Sequence, residues 1–83
     1  MTIDEITQRF IDAYYKLYAM RVVKTKREFC EKCDSKFYPS NFALMERGDR
    51  TVSLRHIMGL VTAFKVSLKW IFYGTGAFID GKE

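Results

Sequence analysis

The chain has 83 residues, of which 48% are hydrophobic and 16% aromatic, and its formal net charge at pH 7 is +4. This length predicts one domain over 1–83, and the apolar content is well above that of disordered chains. No apolar stretch approaches the roughly 18–20 residues of a membrane-spanning helix, so we expect no membrane partner. The acidic, amphipathic start is unlike a signal peptide, which favours a cytoplasmic protein.

Hydrophobic spacing predicts an all-α fold, a compact bundle of about five helices over 4–20, 26–33, 39–47, 54–64 and 68–73. The first helix carries one apolar stripe that we expect to face the core: Ile6, Phe10, Ala13, Tyr14 and Leu17. Tyr15, Lys16 and Tyr18 fall on its outer or flanking positions.

The second helix has its own start signal. Thr25 and Glu28 form a capping box, in which each side chain accepts from the other residue's backbone N–H. Either Val22 or Val23 is expected to tuck under this helix. Phe29, Cys30 and Cys33 then share one apolar face.

Cys30 and Cys33 are three residues apart. One such pair supplies two of the four zinc ligands, and thioredoxin-like chemistry needs a βαβ context that is missing here. Core filling is therefore favoured over metal binding or redox chemistry, and free thiols suit a reducing cytosol. We expect no metal and no cofactor.

The fourth helix begins at the cap Ser53 and carries a stripe expected to be buried, made of Leu54, Ile57, Met58, Val61 and Phe64. Gly59 within it indicates close contact with another helix. His56 is one position off the stripe and has no acidic or thiol neighbour at ligand spacing, so we expect it at the surface or half-buried.

Ser67 caps the fifth helix and Gly74 ends it, with Trp70 and Ile71 at the base of the core. The apolar run 77–79 in the tail is expected to dock either on the domain or on a second copy.

The second and third helices are joined by a short turn, as in a helix-turn-helix. Pro39 suits the first turn of the third helix and Gly48 its end, while Phe42 and Met45 face the domain. In DNA-binding examples the second helix of such a pair enters the major groove. The candidate base-reading residues are therefore Lys36, Tyr38, Ser40 and Asn41.

Basic residues are frequent between 16 and 36. Such a run is compatible with an ordinary solvated surface or with phosphate binding. Lys24 and Lys26 flank the cap of the second helix, where backbone donors and positive charge together suit a phosphate. Arg50, in the loop after Gly48, is a further candidate phosphate contact.

The order of these parts resembles the phage repressor–Cro class of helix-turn-helix domains, also called the Xre-like family. The resemblance covers about 5–76. It is carried by Thr25 with Phe29-Cys30, by Glu46-Arg47-Gly48, and by Val66-Ser67 with Trp70-Ile71, Gly74 and Gly76.

This resemblance implies a lambda repressor-like DNA-binding domain that acts as a repressor-like transcription regulator. The family's base-reading positions fall on Ser40, Asn41 and Leu44, while Lys26 and Arg27 would meet phosphate or a base edge. Arg50 would lie by the DNA backbone, and Arg47 would contact solvent or phosphate. The partner would be double-stranded DNA, bound by a homodimer that pairs through the C-terminal segment 70–79.

The turn between the second and third helices, Asp34–Tyr38, is about two residues longer than the family's pattern. It predicts either altered DNA readout or a hairpin that serves protein contact instead. The alternative function is thus an antitoxin-like or phage accessory protein of the same fold. No nucleophile–base pair or phosphate loop can be assembled, so we expect no enzyme and no small-molecule ligand.

Overall fold

A computed structural model describes residues 4–79 and consists of five helices. They are α1 (Glu5–Ala19), α2 (Lys26–Cys33), α3 (Pro39–Glu46), α4 (Leu54–Phe64) and α5 (Leu68–Tyr73). The expected all-α bundle is confirmed, with every helix end within one residue of the sequence-based boundary. Over 4–79 the extended pairing is limited to one isolated antiparallel bridge between Val66 and Ile79.

Side chains at the N-cap positions begin four of the helices. Asp4, Thr25, Ser53 and Ser67 each accept from the backbone N–H three residues on. The capping box at Thr25 differs from the prediction on one side, because the Glu28 carboxylate accepts from the N–H of Lys24 at 2.8 Å rather than from that of Thr25. The backbone of Thr25 itself is extended, and the carboxylate reaches the N–H that precedes it.

Aromatic rings from α1, α2 and α3 meet at the centre of the core. The ring centroids of Phe10 and Phe29 are 5.5 Å apart, and those of Phe29 and Phe42 are 5.7 Å apart, both in edge-to-face geometry. The predicted α1 stripe is buried at Phe10, Ala13, Tyr14 and Leu17, whereas Ile6 is half-buried. These contacts fix α3 on the face of α1.

The connectors are pinned by single apolar side chains. Val23 is buried under α2 while Val22 is exposed, and Phe37 anchors the turn between α2 and α3. In the tail, Phe78 and Ile79 pack against the core, and the Phe78 carbonyl accepts from the N–H of Ser67 at 2.8 Å. The run 77–79 therefore docks on the domain itself.

The stripe predicted for α4 is wrong at two positions. Leu54 and Met58 are exposed, and Leu60, which was not in the stripe, is fully buried with Ile57. The cause is the close packing of α4 on α2 at Gly59, where a Cβ would overlap the carbonyl group of Cys33. That contact turns the face of Ile57 and Leu60 inward.

Cys30 and Cys33 are buried free thiols, as core filling predicts. Burial raises the pKa of Cys30 to about 12 and also raises that of Cys33. Both therefore stay protonated at neutral pH.

Within 4–79, no helix is both long enough and apolar enough to cross a bilayer.

Candidate nucleic-acid interface

The turn between α2 and α3 is held in one shape by Phe37. Its buried ring stacks on the imidazole of His56 at a centroid distance of 4.1 Å and lies 5.9 Å from Phe10. Two hydrogen bonds also close the turn. The N–H of Phe37 donates to the Asp34 carbonyl at 3.0 Å, and the N–H of Lys36 donates to Asp34 Oδ1 at 3.3 Å. The turn is thus a packed element with a defined direction into α3.

The first turn of α3 presents polar groups to solvent. Ser40 and Tyr38 are exposed, with Tyr38 at 58%, and Asn41 is half-buried. Asn41 Oδ1 accepts from the N–H of Tyr38 at 3.1 Å and so caps the helix. This contact uses one lone pair of the amide oxygen and fixes the plane of the amide. A bidentate contact to adenine needs both the oxygen and the NH₂ group of Asn41. The oxygen would have to accept from adenine and from the N–H of Tyr38 at the same time.

Lys26 is tied to the end of α3. Its ammonium lies 2.8 Å from Glu46 Oε1, and the Tyr15 hydroxyl donates to Glu46 Oε2 at 2.7 Å. The same ammonium stands 5.6 Å from the centroid of the Phe42 ring. This cluster joins α1, α2 and α3, so Lys26 stabilises the position of the candidate reading helix and its charge is offset by a carboxylate.

The pKa values of the cluster reflect these contacts. The hydrogen bond to Glu46 is the main cause that raises the pKa of Lys26 and that of Tyr15. Burial by itself would raise the pKa of Glu46, but the hydrogen bonds from Lys26 and Tyr15 outweigh it and lower that pKa below 4.5. The pair is therefore charged at neutral pH.

Two other predicted phosphate contacts also have acidic partners. Arg27 Nε lies 3.1 Å from Glu31 one turn along α2, and Arg47 Nε lies 3.4 Å from Asp49. Both arginines are largely solvent-exposed. Exposed pairs of this kind are weak, so either guanidinium can exchange its carboxylate for a phosphate at little cost.

Three predicted cations have no carboxylate within 4 Å among the described residues: Lys24, Lys36 and Arg50. They lie in three places. Lys36 precedes the exposed start of α3 and Arg50 follows its end in the loop to α4, whereas Lys24 lies next to the N-terminus of α2. Leu44, the remaining predicted reader, is half-buried on α3.

A cluster around Asp34 escaped the sequence-based prediction. Arg55 Nε and His56 Nε2 lie 3.6 and 3.7 Å from Asp34 Oδ2, and the Ser53 hydroxyl is 3.1 Å from His56 Nδ1. Asp34 is thus an acidic neighbour of His56 in space, which spacing along the sequence does not show, and the half-buried position of His56 is as predicted. Asp34 caps the end of α2 and His56 lies in the first turn of α4. No local spacing in the sequence therefore predicts their contact.

The pKa of His56 depends on burial and on the charges around the turn. Burial is the largest cause that lowers its pKa below 6.5, Asp34 opposes this, and Arg50 and Arg55 add to it. Arg55 is exposed and extends the cationic side of the turn beyond the residues that the sequence identified.

The described residues contain no cluster of three or more His, Cys, Asp or Glu side chains placed to hold a metal ion. Comparison of the chain with protein-family models, curated proteins and solved structures finds no significant match.

Proposed function

We propose that this chain binds double-stranded DNA in a sequence-specific manner, with the start of α3 in the major groove, and acts as a repressor-like transcription regulator. The observation that carries the proposal is the exposed first turn of α3, with Ser40 and Tyr38 outward, together with the flanking cations Lys36 and Arg50, which have no acidic partner within 4 Å among residues 4–79. Base edges are read by short polar side chains, and phosphates are held by lysine and arginine. The resemblance to the phage repressor–Cro class supports the same function.

In this proposal the contacts have separate roles. Lys36, Arg50 and Arg55 hold phosphates on the two sides of the groove, while Ser40, Asn41 and Leu44 meet base edges. Lys26 acts through Glu46 to hold α3 in place. The chain would act in the cytoplasm, without a cofactor.

One reading helix covers few base pairs, so the proposal includes a homodimer on a near-palindromic site. Trp70 and Phe78 pack on each other within one chain, with ring centroids 4.7 Å apart. The dimer contact in the C-terminal segment would therefore use Phe72 and Tyr73, two exposed side chains in the last turn of α5. Sedimentation of the free protein and of a 1:1 mixture with duplex tests this stoichiometry.

The proposal is tested by selecting bound sites from random duplexes and then titrating the selected duplex at two salt concentrations. Specific binding by a repressor-like domain predicts an enriched motif and an affinity that falls steeply with salt. Absence of any enriched motif, together with salt-insensitive or undetectable binding, would reject it.

A protein-interaction module of the same fold is the second candidate. It is favoured by the engagement of Asn41 as a helix cap and of Lys26 in an ion pair, since both reduce the groups free for DNA.

A further inference from the structure

The C-terminal end of α1 carries a cation at a position that suits glycine. The N–H of Val22 donates to the Leu17 carbonyl at 2.9 Å and that of Arg21 donates to the Tyr18 carbonyl at 3.0 Å, so the helix ends in a Schellman-type closure. Arg21 has a φ of 63°, in the left-handed region. A side chain other than glycine costs stability there.

A surface pocket of about 440 Å³ opens beside this closure. It is lined by Tyr18, Ala19, Arg21, Val23 and Lys24. Val23 is a buried member of this lining, and the neighbouring Met20 and Val22 are exposed. The volume lies within the range of small binding pockets, and it suits one large apolar side chain.

The described charged residues in the lining of this pocket are of one sign. Within residues 4–79 they are Arg21 and Lys24. Among residues 4–79 neither has a carboxylate within 4 Å, in contrast to Lys26, whose ammonium is paired with Glu46. The nearby Glu28 carboxylate is engaged by the N–H of Lys24 and by Lys32. The complement of this surface is an apolar group surrounded by negative charge.

We propose that this pocket, named here the α1-end pocket, binds an acidic segment of a partner protein. One apolar side chain of that segment fills the pocket, and its carboxylates meet Arg21 and Lys24. An acidic peptide fits better than a nucleic acid because Met20 and Val22, which are exposed and adjoin the lining residues in the chain, add apolar surface that an apolar side chain can contact and a phosphate cannot.

The position of the pocket agrees with a site separate from DNA. Lys24 adjoins the start of α2, and Lys26 at that start contacts Glu46, the last residue of α3. Ser40 lies at the opposite end of α3, whose eight residues span about 12 Å. The proposal does not depend on DNA binding.

The test is an NMR titration of the full chain with a peptide that has a central tryptophan flanked on each side by three acidic residues. Chemical-shift changes are expected at Tyr18, Val23 and Lys24, and they should vanish when serine replaces the tryptophan. The variant Arg21→Gly should weaken peptide binding about fivefold, as expected for one charge-assisted contact. It should also raise the Tm, because glycine relieves the left-handed position.

The matched control is Lys65→Gly, since Lys65 is a second exposed cation in the left-handed region, with a φ of 58°, and lies at the end of α4. It should also raise the Tm and leave peptide binding unchanged. Absence of shifts at the pocket, or equal losses for both variants, would overturn the proposal. So would a loss of duplex affinity in Arg21→Gly without loss of peptide affinity, which would assign the pocket to nucleic acid.

Discussion

Gly59 lies directly against the backbone of Cys33, and a Cβ at Gly59 would overlap the Cys33 carbonyl group. α4 and α2 therefore cross in backbone contact, and the crossing sets which face of α4 is buried. We expect Gly59→Ala to destabilise the fold by about 2–3 kcal/mol, because neither backbone can move without opening the core. Urea unfolding followed by circular dichroism measures the change.

Met58→Ala is the control for this substitution, since Met58 is the adjacent residue and is exposed. Its effect should be within about 0.5 kcal/mol. A Gly59→Ala variant as stable as the parent would mean that α4 does not approach α2 so closely.

This crossing also shows where the sequence was insufficient. Helix ends followed from local signals, because caps such as Thr25 and Ser53 act within one turn of the chain. The inward face of α4 could not be predicted in this way. One possible face contains the apolar residues 54, 57, 58, 61 and 64, another contains 57 and 60, and both fit a helical period. The choice between them is made by the contact at Gly59, which involves a different helix.

The candidate site divides in the same way. Exposure of Ser40 and burial of Phe42 follow from spacing within α3. The partner of Lys26 does not, since Glu46 is at the far end of the next helix along the chain. Asp34 and His56 likewise meet only after α4 has docked.

Glu46→Gln should separate the structural role of Lys26 from its charge. The amide still accepts from Tyr15 but no longer neutralises Lys26, so stability should fall by about 1 kcal/mol while duplex affinity rises at low salt. Urea unfolding and fluorescence anisotropy give the two values. Asp12→Asn makes the same change in net charge on α1 and should leave affinity within about twofold. Unchanged affinity in Glu46→Gln would show that Lys26 does not face the duplex.

The stability of the fold should rise with pH because of His56. Burial lowers the folded-state pKa of this imidazole below 6.5, so the unfolded chain binds more protons between the two pKa values. The contribution of His56 to the free energy of unfolding is therefore fully present above about pH 6.5, the unfolded-state pKa. It is lost as the pH falls from there through the lower folded-state pKa. Urea unfolding at pH 7.5 and at pH 5.5 should show the difference, and His56→Gln should reduce it. A His56→Gln variant with the same pH dependence as the parent would contradict this assignment.

Two substitutions at Asn41 distinguish helix capping from base reading. Asn41→Asp keeps an oxygen for the N–H of Tyr38 and suits the helix dipole, so the fold should keep its stability while duplex affinity falls through charge repulsion. Asn41→Ala should destabilise the fold by about 1 kcal/mol because the cap is lost. Thermal unfolding and anisotropy are measured on both variants. Full duplex affinity in Asn41→Asp would remove this residue from the interface.

The central claim concerns the cations that flank α3, Lys36 before its start and Arg50 after its end. The most direct measurement is duplex affinity as a function of salt for Lys36→Glu/Arg50→Glu. The control is Lys65→Glu/Lys69→Glu, which changes net charge equally at residues that follow α4 and lie in α5. The parent should bind duplex with an affinity that falls steeply between about 50 and 200 mM salt. The first variant should lose at least about tenfold in affinity and show a shallower salt slope, while the control keeps the parent slope. Equal losses in both variants, or no duplex binding by the parent at low salt, would contradict the account.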